Sequence, residues 1–372
     1  MTPTPAPTPT ADVRPAAPTI ERVDIERRVV PLTRPWGPTV TELTFVAVDV
    51  HDSDGGTGHG FSWTPSIGGS AVTALLRDDL APWAVGREAE PDLWTDAWEH
   101  VHEAGGGGIT TIALAGLDLA LWDLRCRRHG TGLDDLLGRR HDTQPAYGSG
   151  INLHYPLDEL VAQVRRWVDA GFDAVKVKVG KPDLGEDVER LAAVRDVLGP
   201  DRRLMIDANQ RWDLERATIA ADELAAFDLA WLEEPLRSDD TAGYVELRRR
   251  TDVPIAMGEN VHHWYRFRDL LDAGACDIVQ PNVVRVGGIT PFLRIAELAH
   301  RRDVELAPHL LPDLSARLAV TLPGPTWVEE VEDAGFGDLG VLAEPSGVRI
   351  EAGRAHVEAT VGIGVELAGG AS

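Results

Sequence analysis

The sequence holds little cysteine, almost no lysine and no long apolar run, and each shortage excludes something. Two cysteines in 372 residues, Cys126 and Cys276, make no disulfide framework. Each sits in an apolar run and reads as a buried free thiol of a reducing cytoplasm, where the protein is expected. No apolar stretch nears the ~20 residues that cross a bilayer, so no membrane association is expected. The first residues, MTPTPAPTPTADVRPAAP, lack the charged start and apolar stretch of a signal peptide. Their Pro/Thr/Ala repetition predicts a disordered tail over 1–18. Positive charge is short as well: 36 Lys+Arg stand against 60 Asp+Glu, a net −24 at pH 7. A polyanion would be repelled, which excludes nucleic acid as a partner. A small anionic substrate would need a locally positive site.

The lysine shortage is uneven. Only three of the 36 cationic residues are lysine, and Lys176, Lys178 and Lys181 fall within six positions. Arginine cannot release its proton at useful pH, whereas a lysine in a suitable environment can. Chance clustering of a rare residue is the alternative to a proton-handling site.

The length suits a barrel plus a cap. Two alternating stretches, Ile20–Arg27 and Glu42–His51, are separated by the loop TRPWGP and followed by the glycine-rich GGTGHGFSW. They predict antiparallel strands joined by mobile loops. The helical pattern Ile109–Arg128 carries an apolar stripe of Ile112, Leu114, Leu117, Leu121 and Leu124. Residues 19–140 therefore read as an α+β capping domain, which 341–372 are expected to complete. From 141 to 340 the pattern alternates short apolar strands (AYGSGI, AVKVKV, LMIDAN, LAWLEE, PIAMGE, DIVQPN, VELAPH, TWVEEV) with amphipathic helices. Strands spaced by single helices imply parallel βαβ crossovers, and eight in one run imply a closed barrel rather than an open sheet. The fold class is α/β.

Most of these strands end in a reactive side chain: Lys176 and Lys178, then Asp207, Glu233, Glu259, Asn282, His309 and Glu329. In a barrel the C-terminal strand ends converge on one mouth. Three carboxylates there repel one another unless a hard divalent cation sits between them, and oxygen-only ligands suit Mg²⁺, with Mn²⁺ as a substitute. The alternative for any one of them is a helix-capping acid. Lys176 and Lys178 alternate with Val177, so both ammonium groups point into the mouth. As like charges they are expected to lower each other's pKa, leaving one a usable base. His309 lies across the mouth from Lys178 and can handle a proton on the opposite face of a substrate. His100 and His102 read as surface residues, and His262 and His263 as groups supporting the mouth. Gly105–Gly108 has no preceding strand and no following GK[ST], so a flexible connection is expected instead of a phosphate loop.

These motifs together resemble the mandelate racemase and muconate lactonizing enzyme family of the enolase superfamily. The resemblance spans about 20–367. It is carried by Ala113, Ala115, Asp118, Trp122 and Asp123, by Leu136-Leu137-Gly138, by the Lys-x-Lys strand, by DAN at 207–209, WLEEP at 231–235 and GEN at 258–260, and by QPNVVRVGGIT and APHL. It implies a (β/α)7β modified TIM barrel under an N-terminal cap, Mg²⁺ on Asp207, Glu233 and Glu259, and Lys178 as base with Lys176 as its partner. With no lysine at 282–285 and with His309 present, the chain sits nearer the mandelate racemase and acid-sugar dehydratase group. In that group Glu329 matches a glutamate that hydrogen-bonds the substrate carboxylate. A small carboxylate substrate and a homo-oligomer are expected. Asn209, Trp36 as a lid residue, Asn152, His154 and Arg211 are the expected substrate contacts.

One position departs from the family pattern. Mandelate racemase-like enzymes orient the histidine with an aspartate, and this chain has Asn282. Without that charge the imidazole is expected to stay neutral at pH 7, which disfavours a symmetric two-base racemase. The expected reaction is removal of the proton alpha to a carboxylate, then loss of a β-hydroxyl to give a 2-keto acid. Racemisation, epimerisation or cycloisomerisation are the alternatives within the family. A Schiff-base lysine aldolase or a silent ligand-binding relative are the alternatives outside it.

Overall fold

The computed structural model describes residues 18–369, so most of the 1–18 tail lies outside the described residues. The chain opens with an antiparallel meander, β1 (Ile20–Trp36), β2 (Val40–Asp52) and β3 (Thr57–Pro65). A helical stretch follows, made of α1 (Gly69–Ala74), a π turn (Leu75–Leu80) and α2 (Ala81–Ala84). Next come α3 (Leu93–Val101), α4 (Ile109–His129) and α5 (Leu133–Leu137). The glycine-rich segment expected to be a mobile loop is β3. Its glycines serve packing: a Cβ on Gly58 would fall 2.1 Å from the Ala120 carbonyl oxygen, and one on Gly60 2.2 Å from that of Gly116. Helix α4 can lie this close to the sheet only because both side chains are missing. Sixteen of its residues are buried, many more than the predicted stripe, because the barrel covers its other face.

The catalytic-end geometry comes from eight strands: β4 (Thr143–Ser149), β5 (Ala174–Lys178), β6 (Arg203–Asp207), β7 (Leu229–Glu233), β8 (Ile255–Met257), β9 (Ile278–Val279), β10 (Glu305–Leu306) and β11 (Val328–Val331). Consecutive strands from β4 to β10 pair in parallel, and β11 pairs in parallel with β4. The intervening helices are α6 (Leu157–Asp169), α7 (Leu184–Leu198), α8 (Leu214–Leu224), α9 (Thr241–Arg250), α10 (Trp264–Ala273), α11 (Ile289–Arg301) and α12 (Pro312–Ala319). This is the (β/α)7β arrangement. The eight strand motifs of the sequence coincide with these eight strands. Helix α12 has no counterpart among the expected helices. It begins at a proline after Leu310 and Leu311, both at positive φ, a start that masks the periodic signal.

The C-terminal segment, expected to return to the cap, divides between the two units. A hairpin of β12 (Val348–Glu351) and β13 (Arg354–Val357) extends the barrel sheet by pairing with β4. Beyond it the chain binds the cap: Ile363 N donates to Asp123 (2.8 Å), and Arg127 pairs with Glu366 (3.0 Å).

The AxAGLDxALWD stretch joins cap to barrel. Asp118 accepts from the backbone N–H of Thr290 (2.9 Å) and from its hydroxyl (2.6 Å), while Trp122 Nε1 donates to the same hydroxyl (2.9 Å). Asp118 is buried and sits at the N-terminus of α11, where a carboxylate is favoured. Asp118→Ala should cost about 2–3 kcal/mol by leaving those donors unsatisfied. A clear fall in Tm checks it, and an unchanged Tm would remove Asp118 from the cap–barrel joint.

Candidate active site

The ends of β5, β6, β7 and β8 bring the expected groups into one buried cluster. Asp207 and Glu233 are fully buried at the last residues of β6 and β7, and Glu259 is 8 % exposed two residues beyond β8. Gly258 makes that turn possible, since a Cβ there would lie 2.7 Å from the backbone nitrogen of Gln280. The three carboxylates each offer an oxygen within 4.8 Å of the others.

Both lysines point into this cluster. Lys176 Nζ donates to Glu233 Oε1 (2.8 Å) and Oε2 (2.9 Å) and pairs with Glu329 Oε1 (2.8 Å). Lys178 Nζ is ion-paired with Asp207. Burial works against both ammonium groups, but the carboxylates outweigh it. Glu233 and Glu329 hold Lys176 well above the usual lysine range. Asp207 holds Lys178 above it, with Lys176 pulling the other way. The lowering read from the sequence is seen on Lys178 and is outweighed there, because four carboxylates surround two lysines.

The donor set fits a divalent cation. Burial pushes Glu233 up, to about 7, with Lys176 opposing it and Asp207 and Glu329 adding to it. Its donors oppose that rise: Lys176, Trp231 Nε1 (3.2 Å) and Gln280 Nε2 (2.6 Å). A dication among three hard oxygens offsets the remaining repulsion. Glu329, drawn down to about 2 against burial, chiefly by Lys176, also accepts from Leu310 N (3.0 Å).

His309 follows β10. Its Nε2 lies 2.7 Å from Glu259 Oε2, and its Nδ1 lies 3.0 Å from Asn282 Nδ2. The expected substrate contacts divide. Asn152 is fully buried and its amide is committed, accepting from Lys178 N (2.8 Å) and donating to Gln163 (2.9 Å), so it braces β5. Asn209, at positive φ, donates its backbone N–H (2.7 Å) and its amide (3.2 Å) to Asp207 and orients that carboxylate. Trp36 is half-buried, edge-on to Trp63 at 6.2 Å. His154 is exposed beside Gly37 at the same hairpin tip. Arg211 is exposed, with its stem laid across Gly180. Arg34 ties the tip to the barrel through Tyr155 Oη (2.7 Å) and Glu159 (2.9 Å).

Sequence reasoning missed several supporting groups. Glu234 is buried at positive φ, and burial and Glu259 push it well above the usual carboxylate range. Its doubled glutamate in WLEEP was the available signal. Gln280 and Arg285, which donates to the Glu259 carbonyl (2.9 Å), carried none. His262 and His263 are half-buried against Gly107, so the glycine loop is a packed joint and not a free connection. His100 and His102 are exposed as expected, the first stacked on Trp83 and the second edge-on to Trp98. Two clefts of about 430 and 980 Å³ lie at the other end of the barrel, lined by residues such as Arg203 and Glu305 and by none of the site's carboxylates or lysines.

A parallel barrel whose capped mouth gathers three carboxylates able to hold a cation, two lysines and a histidine belongs to the enolase class of folds. The chain is a member of the mandelate racemase and muconate lactonizing enzyme family. Residues 19–138 match the N-terminal domain model of that name, and 159–371 match the enolase C-terminal domain-like model. The chain is 38 % identical to a 3,6-anhydro-alpha-L-galactonate cycloisomerase of Streptomyces coelicolor, over 88 % of this chain and 92 % of that protein. It is 35 % identical to an L-talarate/galactarate dehydratase of Salmonella typhimurium, over 87 % and 84 %. The crystal structure of L-talarate dehydratase from Polaromonas sp. JS666, complexed with Mg and L-glucarate, superposes with a TM-score of 0.86 at 35 % identity, over 95 % and 96 % of the two chains. Among the described residues no helix is long and apolar enough to cross a membrane.

Proposed function

We propose that this protein is a Mg²⁺-dependent hydro-lyase that converts a sugar acid to a 2-keto acid through an enediolate. The observation that carries the reading is the triad of Asp207, Glu233 and Glu259 beside Lys178. Mg²⁺ held by the triad would bind the substrate carboxylate and supply positive charge where the enediolate forms. Lys178, once it has lost the proton that Asp207 holds on it, takes the proton alpha to the carboxylate. Lys176, clamped between Glu233 and Glu329, stays charged and faces the developing negative charge with a fixed donor. Glu329 orients Lys176 and lies near the substrate carboxylate. His309 lies across the mouth from Lys178 and presents Nε2 to the opposite face of the substrate. The carbon–oxygen bond then breaks with its electron pair going to oxygen, that oxygen takes up the proton removed from the alpha carbon and departs as water, and the enol left behind ketonises. The hairpin tip around Trp36, with His154 and Arg211, reads the rest of the sugar.

Cycloisomerisation is the second reading, favoured by the 38 % identical relative of that activity. Incubating a panel of acid sugars with enzyme and Mg²⁺ separates the two: dehydration yields a keto acid lighter by one water, and cycloisomerisation an isomer of unchanged mass. Absence of alpha-proton exchange with every acid tested would overturn both.

The tip also supports a prediction on affinity. Arg34→Met removes the ties to Tyr155 and Glu159, so KM should rise about tenfold, roughly 1.4 kcal/mol, with kcat little changed. Steady-state kinetics on the best panel substrate check it, and an equal fall in kcat with KM constant would contradict it.

A further inference from the structure

The polarity of the Asn282–His309 contact is fixed by the backbone. Asn282 Oδ1 accepts from the backbone N–H groups of Val284 and Arg285, both at 3.1 Å. The amide therefore cannot turn its oxygen to the ring, and Nδ2 faces His309. Its two hydrogens meet two acceptors, Nδ1 of the ring at 3.0 Å and the His309 carbonyl oxygen at 3.5 Å. Nδ1 must then offer its lone pair, and the ring hydrogen resides on Nε2.

This arrangement restricts what the histidine can do. Nε2 already carries a hydrogen and cannot accept a substrate proton. A second hydrogen on Nδ1 would set N–H against N–H. Full transfer of the Nε2 proton would leave an imidazolate. An aspartate at 282 would reverse all of this, accepting from Nδ1–H and freeing Nε2 as a base.

We propose that Asn282 is a positioning residue that fixes His309 as a neutral Nε2–H hydrogen-bond donor, leaving Lys178 as the sole proton carrier of a syn elimination. The inference rests on the dehydratase reading above. Lys178 Nζ takes the alpha proton and becomes an ammonium. The β-carbon–oxygen bond breaks with its electron pair going to oxygen, and the ammonium returns the proton to that oxygen on the same face. Water leaves, Lys178 is neutral again, and His309 has only donated a hydrogen bond.

Three measurements test it. In mildly alkaline buffer, ¹⁵N-histidine NMR of the wild type, with His309→Asn to assign the signal, should give a pyridine-type Nδ1 and a pyrrole-type Nε2. Asn282→Asp should exchange the two. A pyrrole-type Nδ1 in the wild type overturns the assignment without any need for substrate. Second, of two acids epimeric at the β-carbon, only the one with alpha hydrogen and hydroxyl on one face should be dehydrated. Turnover of the anti-related acid overturns the stereochemistry. Third, Asn282→Asp should gain exchange of the alpha proton facing His309, by about a hundredfold over wild type. Wild-type exchange on both faces overturns the sole-carrier claim. If no acid exchanges its alpha proton at all, the dehydratase reading fails while the NMR result still stands or falls alone.

Discussion

Glu233→Gln should lower kcat by about a thousandfold or more while the protein stays folded. The substitution keeps shape and removes one charge from the centre of the cluster. Glu233 takes both hydrogen bonds of Lys176 as well as those of Trp231 and Gln280. A glutamine can accept with only one atom, so an N–H will face an N–H, at a cost of about 1–3 kcal/mol in stability. The effect on turnover is larger because two functions fail together. The cation loses one of three anionic ligands, and Lys176 keeps only Glu329 as a close partner, which alters the charge set against the enediolate. Titration calorimetry with Mg²⁺ should show weakened binding, and activity should fall in parallel. Chelation with EDTA should reproduce the loss in the wild type, and restored Mg²⁺ should reverse it. Full turnover by the Gln variant, or by metal-free wild type, would sink the metal-assisted reading.

Much of the site was legible because a parallel barrel converts sequence order into position. Asp207 and Glu233 end their strands as the apolar runs predict, and the period-two spacing of Lys176 and Lys178 sends both inward. What could not be read was which polar atoms are already committed. Asn152 looked available at a strand end, yet its amide is engaged at both ends inside the wall. The same holds for the lysines. Their spacing tells of two like charges, but only the fold reveals that Glu233, Glu329 and Asp207 all press against them. The glycines of β3 misled for a related reason. A glycine read alone suggests freedom, whereas Gly58 and Gly60 are small so that α4 can touch the sheet, a contact between residues some sixty positions apart. Local pattern carries the elements, and long-range contact decides the environment of each side chain.

Lys178→Arg and Lys178→Ala should both lose alpha-proton exchange with D₂O, by at least about a hundredfold, and dehydration with it. The pair of variants separates charge from proton transfer. Arginine keeps a cation next to Asp207, so the electrostatic balance of a buried cluster is largely preserved. It cannot take up a proton at any pH the enzyme meets. If Lys178 only balanced the charge of Asp207, the Arg variant would remain active and the Ala variant would fail. If Lys178 is the base, both fail. A small primary amine added to the Ala variant should then restore part of the exchange by occupying the space left by the side chain, and should not help the Arg variant. Lys178 in the wild type is held above the usual lysine range by Asp207 against burial and against Lys176. Asp207 is also one of the three carboxylates that can take the cation, so the hold on the ammonium and the hold on the ion draw on one group. Exchange in the wild type should therefore depend on Mg²⁺ as steeply as dehydration does. The same lysine also decides against imine chemistry. Borohydride added during turnover should leave no substrate attached to Lys178, since proton transfer forms no covalent bond to nitrogen. A trapped adduct, or undiminished exchange in the Arg variant, would remove Lys178 from the role of base.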